Sequence, residues 1–253
     1  MNRDLKPNGT IPHPRRAVGR SPASKGSPAR RKGKRGTGRG QGNLAAILSS
    51  KWSHWTSPPK FLERLAKLGR PALDPCSNFH SRTGALREWW GNHHAVEDLD
   101  AVQLELASAL AAGRHVELRN GLVESWQGFV SFVYWNPPYG AALPGWLKKG
   151  ADEGAAGVES VGLFPARTDT VAMHEQVFQR ATAGCFWRGR INFDNPPPAP
   201  EGVEDWTPPG GTFPPFVAYH GRRVDEFFAA FDGAGELVRL NTPRHQEDDH
   251  ADR

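Results

Sequence analysis

Four consecutive residues, Asn136-Pro137-Pro138-Tyr139, carry the most chemistry in this chain. They follow Phe129–Trp135, a near-continuous apolar run that ends abruptly, as a buried parallel strand does. Open parallel sheets place their ligand sites just beyond the carboxyl ends of the strands. Two prolines stiffen the turn and remove two backbone donors. The amide oxygen of Asn136 and the carbonyl of Pro137 then make a pair of acceptors. A planar amino group with two N–H bonds matches that pair, and Tyr139 offers a flat face to an aromatic base. An amino group conjugated to a ring is a poor nucleophile because its lone pair is delocalised. Accepting both hydrogens lets the nitrogen approach tetrahedral geometry. Attack on an activated methyl group then needs alignment rather than a strong base.

The elements that must position this turn alternate along the chain. Helical spacing of apolar residues covers Lys60–Leu68 after Pro58-Pro59, and again Asp100–Ala112, closed by Gly113. Pro71–Leu73 reads as a short buried strand leading into Asp74-Pro75. Leu143–Gly150 reads as a helix and Ser160–Phe164 as a second buried strand. Thr170–Ala181 reads as a helix with Val171, His174, Val177, Phe178 and Ala181 on one side. Cys185–Trp187, Ile191–Phe193 and Phe216–Tyr219 read as further strands. This alternation predicts an α/β fold with a mostly parallel sheet. Trp89, Trp90, Trp126, Trp135 and Trp187 are expected in the core, with Trp55 and Trp146 near the site.

Six blocks in order resemble a known family. They are Trp55-Thr56-Ser57-Pro58, Leu73-Asp74-Pro75-Cys76-Ser77, Asn120-Gly121-Leu122 with Trp126, Asn136–Gly140 with Trp146, Lys149 and Glu153, Leu163–Thr170, and Gly189–Phe193. Asn136–Tyr139 resembles the (D/N)PP(Y/F/W) motif of amino-group methyltransferases. The whole set, over about residues 52–220, resembles the phage and prophage DNA N6-adenine methyltransferases, often called phage Dam-type. Two positions depart from the pattern. No G-x-G turn follows Asp74-Pro75, and Asn120 stands where aspartate is common.

The resemblance implies a Rossmann-like S-adenosylmethionine-dependent methyltransferase fold and S-adenosyl-L-methionine as cofactor. It implies a catalytic turn of Asn136, Pro137, Pro138 and Tyr139 holding a flipped adenine. It assigns Thr56, Ser57, Pro58, Asp74, Pro75 and Cys76 to the cofactor. Helix N-capping is the plain alternative for Thr56–Pro58, and a turn cap for Asp74. Glu97, Asp98 and Asp100 are the candidates for the cofactor ribose. Arg167, Asp169, Arg188, Arg190, Lys148 and Lys149 are the candidate DNA contacts, with Arg222-Arg223 as a further cluster. Asp169 is expected to orient Arg167 or to cap the next helix.

Charge divides the chain sharply. Residues 1–43 hold 12 Lys/Arg against one acid, a charge of +11, while 44–253 carry −6. The first stretch is rich in Gly, Pro, Ser, Arg and Lys and is expected to be a disordered basic tail that grips phosphates. The domain is expected over 44–240 and a disordered acidic tail over 241–253. Two cysteines exclude a disulfide scaffold. Adjacent His93-His94 have no partner cluster, so no metal is expected. With neither an apolar spanning stretch nor a signal sequence, a soluble, cytoplasmic protein is expected, without membrane contact, and the resemblance implies that it is DNA-associated. The resemblance implies double-stranded DNA as the partner, and a monomer is expected to suffice. RNA or protein glutamine as substrate, or an inactive phage DNA-binding protein, are the competing readings.

Overall fold

Phe132, Val133, Tyr134 and Trp135 are all buried, and they alternate between two cores. Side chains along a strand point to opposite faces, so a strand covered on both sides reads as a continuous apolar run. Residues 55–91, 99–194 and 213–241 are described by the computed structural model, 99–101 as backbone only. All belong to one compact unit, Gly38–Arg253. The expectations for 1–43, for the terminal tail beyond Asn241, and for His93, His94, Glu97, Asp98 and the Asp100 side chain lie outside these residues.

Eight strands form one sheet: β1 (Leu73–Asp74), β2 (Arg87–Trp89), β3 (Val116–Glu117), β4 (Val133–Trp135), β5 (Ser160–Pro165), β6 (Ala183–Trp187), β7 (Pro215–His220) and β8 (Gly235–Arg239). Their spatial order is β3-β2-β1-β4-β5-β7-β6-β8. The first five strands in that order are mutually parallel. β7 lies antiparallel between β5 and β6, and β8 runs antiparallel to β6. Six of these eight strands therefore point one way, giving an α/β sheet that is mostly parallel but mixed.

The α-helices among the described residues are α1 (Pro59–Ala66), α2 (Leu99–Ala111), α3 (Leu143–Ala155) and α4 (Val224–Phe231). Pro59 opens α1, where its missing N–H costs nothing and its fixed φ favours the helix. Phe61 and Leu65 of α1, with Phe227 and Phe231 of α4, cover one face of the sheet. Trp146 and Leu147 of α3 cover the other, beside Met173 and Val177. Trp135 packs so closely between α3 and β5 that only glycine fits at Gly150 and Gly162.

Several expectations change in detail. β4 begins at Val133, because Val130 is 99% exposed and the chain before Phe132 is not strand. The segment after Thr170 closes as a π-helix, Met173–Phe178, which turns Val171 and His174 outward and buries Met173 instead. Ile191–Phe193 is no strand; only Asp194 pairs, in an isolated bridge with Thr56. Trp146 is a core residue stacked on Trp126, rather than a site residue.

Candidate active site

Strand order reverses between β1 and β4. From β1 the sheet grows outward to β2 and β3, and from β4 to β5. Such a switch point leaves a crevice at the carboxyl ends, where ligands of open α/β sheets bind. Asp74 ends β1 and Asn136 directly follows β4, so the two chemistry-bearing motifs flank this crevice.

Asp74 is 4% exposed. Its Oδ1 accepts the Cys76 N–H at 3.1 Å, and its Oδ2 accepts the Thr83 and Ser81 hydroxyls at 3.2 and 3.4 Å. Burial, together with the nearby Glu88 carboxylate, pushes its pKa up to about 7. Glu88 lies on β2 at 3% exposure and pairs with Arg114, at 2.5 Å to Oε2 and 2.9 Å to Oε1. Ser77 donates to the same carboxylate. Arg114 also donates to the carbonyls of Phe79 and Asn78. This network ties the loop after β1 to β2.

Pro75 and Cys76 are buried in the turn that follows Asp74. The Asn136 backbone N–H bonds the Cys76 thiol, linking the ends of β1 and β4, while burial raises the thiol's pKa. Gly121 lies against this turn. A methyl group there would sit 2.6 Å from Pro75 Cβ and closer still to its carbonyl oxygen. Asn120 Oδ1 accepts the Leu122 N–H at 3.0 Å, and Trp126 Nε1 donates to the Gly121 carbonyl at 2.8 Å. Asparagine thus closes the same side-chain turn that an aspartate oxygen would. Gly121→Ala is expected to lower stability by about 1–3 kcal/mol, the cost of overpacking, measured by urea unfolding. Unchanged stability would mean that the two loops separate freely.

Asn136 is half-buried and Pro137 buried. Tyr139 Oη donates to Asn136 Oδ1 at 2.8 Å. Asn136 Nδ2 donates to Ser57 Oγ at 3.4 Å, and Ser57 Oγ bonds Tyr134 Oη at 2.6 Å. Burial raises the pKa of both tyrosines, so they stay protonated donors. The Tyr139 ring meets Phe193 edge-on at 5.9 Å between centroids.

Thr56 and Ser57 are buried just before α1, yet no side chain caps that helix. Thr56 exchanges both backbone hydrogen bonds with Asp194, at 3.1 and 2.9 Å. Its hydroxyl is buried with no hydrogen-bond partner among the described residues. Pro58 contributes its carbonyl to the first turn of α1. Arg82 pairs with Asp194 at 3.3 Å, and Asn78 Nδ2 donates to the Trp55 carbonyl at 3.0 Å. Segments distant in sequence, at Thr56–Ser57, Asp74–Cys76, Gly121, Asn136–Tyr139 and Phe193–Asp194, therefore pack together at the carboxyl ends of β1 and β4.

The expected DNA contacts separate. Arg188 and Arg190 are exposed beyond the carboxyl end of β6, and Arg167 follows β5 with its guanidinium over Phe213 at 5.5 Å. All three lie at the Asn136 end of the sheet. Asp169 is exposed, and Thr170 takes the capping role, accepting the Met173 N–H at 3.3 Å. Lys148 forms an exposed pair with Asp152. Lys149 points inward instead, bonded to Glu153 at 2.6 Å with only 14% of its side chain exposed, over the Trp126 ring. It is a packing residue, unsuited to gripping phosphate. Arg222-Arg223 follow β7, which runs in reverse, so they lie at the opposite end; Arg223 is bound to Glu159.

Glu88, Arg114 and Asp194 are site-bordering residues that the sequence reading missed. A charged residue inside a three-residue strand carries no periodic signal. Cys76 and Cys185 are both buried, and neither forms a disulfide. Among the described residues, no helix is long and apolar enough to cross a membrane, and no group of three His, Cys, Asp or Glu side chains gathers as a metal site. No family model, curated protein or solved structure matches the chain.

Proposed function

We propose that the chain is an S-adenosylmethionine-dependent DNA adenine-N6 methyltransferase of phage or prophage type, acting in the cytoplasm of a bacterial or phage-infected cell. The observation that carries this reading is the Asn136-Pro137-Pro138-Tyr139 turn set beside buried Asp74 at the switch point of the sheet. The residues present fit the cofactor. A buried carboxyl group at Asp74 suits its ammonium group, and the unpartnered Thr56 hydroxyl suits a polar group of the same ligand. Pro75, Cys76 and Pro58 would line the remainder. When bound, S-adenosylmethionine supplies an electrophilic methyl group.

The chain's own residues then do the rest. Asn136 Oδ1 and the Pro137 carbonyl accept the two hydrogens of the target amino group. Pro138 holds the turn, and Tyr139 and Phe193 bound the space for a flipped base. None of these groups is a strong base, so the chemistry rests on alignment and on acceptors aimed at developing positive charge. Arg167, Arg188 and Arg190, at the same end of the sheet as Asn136, would hold the duplex backbone.

Transfer of a radiolabelled methyl group to unmethylated DNA, RNA and protein, followed by nucleoside and amino-acid analysis, tests the proposal. Label in N6-methyladenine of duplex DNA is the expected result. Label in cytosine, in RNA or in glutamine would replace the substrate, and no label anywhere would remove the reaction.

A further inference from the structure

An asparagine amide has a donor end and an acceptor end of nearly the same shape. If Asn136 accepts hydrogens from an amino group, something must keep its oxygen toward the crevice. We infer that Ser57, anchored by Tyr134, is the positioning residue that fixes this orientation, an inference that rests on the reading of Asn136 as the acceptor of the target amine. Ser57 Oγ takes the Asn136 Nδ2 hydrogen at 3.4 Å, and Tyr139 Oη donates to Oδ1 at 2.8 Å, so each end of the amide is matched to one partner. One lone pair of Oδ1 remains for substrate.

Ser57 is a rigid post. Its hydroxyl is tied to Tyr134 Oη at 2.6 Å, and Tyr134 is 1% exposed, against Phe61. On one side Thr56 is fixed by two backbone bonds to Asp194, and on the other Pro58-Pro59 starts α1, whose Phe61 and Leu65 are core. At 5% exposure Ser57 has little access to water, so Tyr134 and Asn136 are its natural partners. The 3.4 Å separation is long for a hydrogen bond, as catalytic contacts often are before substrate binds and tightens them. Ser57 thus serves the amine acceptor, beyond its place in the cofactor-lining segment.

The test uses the full chain, labelled with nitrogen-15. Asn136 side-chain amide resonances, assigned by their loss in Asn136→Asp, are expected to exchange slowly with solvent. In Ser57→Ala that exchange should speed up, and Ser57→Thr should restore it. In single-turnover transfer to adenine DNA with saturating cofactor, Ser57→Ala should lower the transfer rate constant about tenfold, the scale of one neutral hydrogen bond, a larger effect than any change in cofactor Kd, with Thr again rescuing. Tyr134→Phe, which keeps the serine but loosens its anchor, should fall in between and serves if Ser57→Ala does not fold. Weakened cofactor binding with the transfer rate constant retained would overturn the inference, as would unchanged amide exchange. If the wild-type chain transfers no methyl group, the proposed function fails, while amide exchange still decides the role of Ser57.

Discussion

Asp74→Asn is expected to raise the melting temperature at pH 8 while cutting cofactor affinity about a hundredfold. The carboxyl group is buried beside Glu88, and its pKa in the folded chain is pushed up to about 7. An aspartate in the unfolded chain ionises near 3.9. Between about pH 4 and 7 the folded state therefore holds a proton that the unfolded state has released. Stability falls as pH rises through that window. Above pH 7 the buried charge costs about 4 kcal/mol, at 1.36 kcal/mol per pH unit. Asparagine removes the charge and keeps the shape. Its oxygen still accepts the Cys76 N–H, and its amide can donate to the Thr83 and Ser81 hydroxyls, which donate to Asp74 in the wild type and would turn to accept. The stabilisation should shrink on going from pH 8 to pH 5 and vanish below pH 4.

The same charge is what a cationic ammonium group would need. A cation brought beside Asp74 favours the carboxylate, so wild-type affinity should rise with pH up to about 7 and then level off. Losing one member of a buried charge pair costs about 2–5 kcal/mol, which spans a hundredfold in Kd. Glu88 does not replace Asp74, because Arg114 and Ser77 already occupy its oxygens. Calorimetry and thermal melts at pH 5 and pH 8 read both effects. A variant that melts lower at pH 8 would mark Asp74 as a turn cap whose charge the fold requires.

The chemistry-bearing turns were legible because they end strands. Asn136–Tyr139 follows a run that is apolar at every position but Ser131, and Asp74-Pro75 closes another. What escaped reading was direction and side. Arg222-Arg223 looked like Arg188 and Arg190 in composition, yet β7 enters the sheet in reverse and carries them to the far end. Lys149 and Glu153 are four residues apart on α3, a spacing that fits an ion pair as well as a phosphate contact. β2 and β3 have three and two residues, too few to establish a period, so Glu88 could not be placed inside. A π-helix and an α-helix share nearly the same apolar spacing over six residues, and only the backbone shows that Met173 rather than Val171 turns inward. The Thr56–Asp194 bridge joins residues 138 positions apart and has no local signature.

Asn136→Ala is expected to lower methyl transfer by about 10²–10³-fold, the range seen when one preorganised group aimed at developing charge is removed. Cofactor affinity should hold, since Asp74 and Thr56 stay in place across the crevice. The fold should hold too. Asn136 is half-buried, and its loss leaves Ser57 bonded to Tyr134 and Tyr139 within 3.4 Å of the Leu163 carbonyl. Asn136→Asp separates the two properties of the amide. A carboxylate keeps the acceptor and loses the donor, and the Ser57 hydroxyl can turn to donate to it. Aspartate should therefore retain more activity than alanine and less than asparagine, because a charge in this half-buried position beside Asp74 carries a desolvation cost. Single-turnover rates with saturating cofactor, read beside cofactor Kd and thermal melts, give that order directly. Equal activity in wild type and Asn136→Ala would mean that the Pro-Pro turn only closes β4. An alanine variant that no longer folds would return the motif to a structural role, and the amine acceptor would have to be sought elsewhere along the crevice.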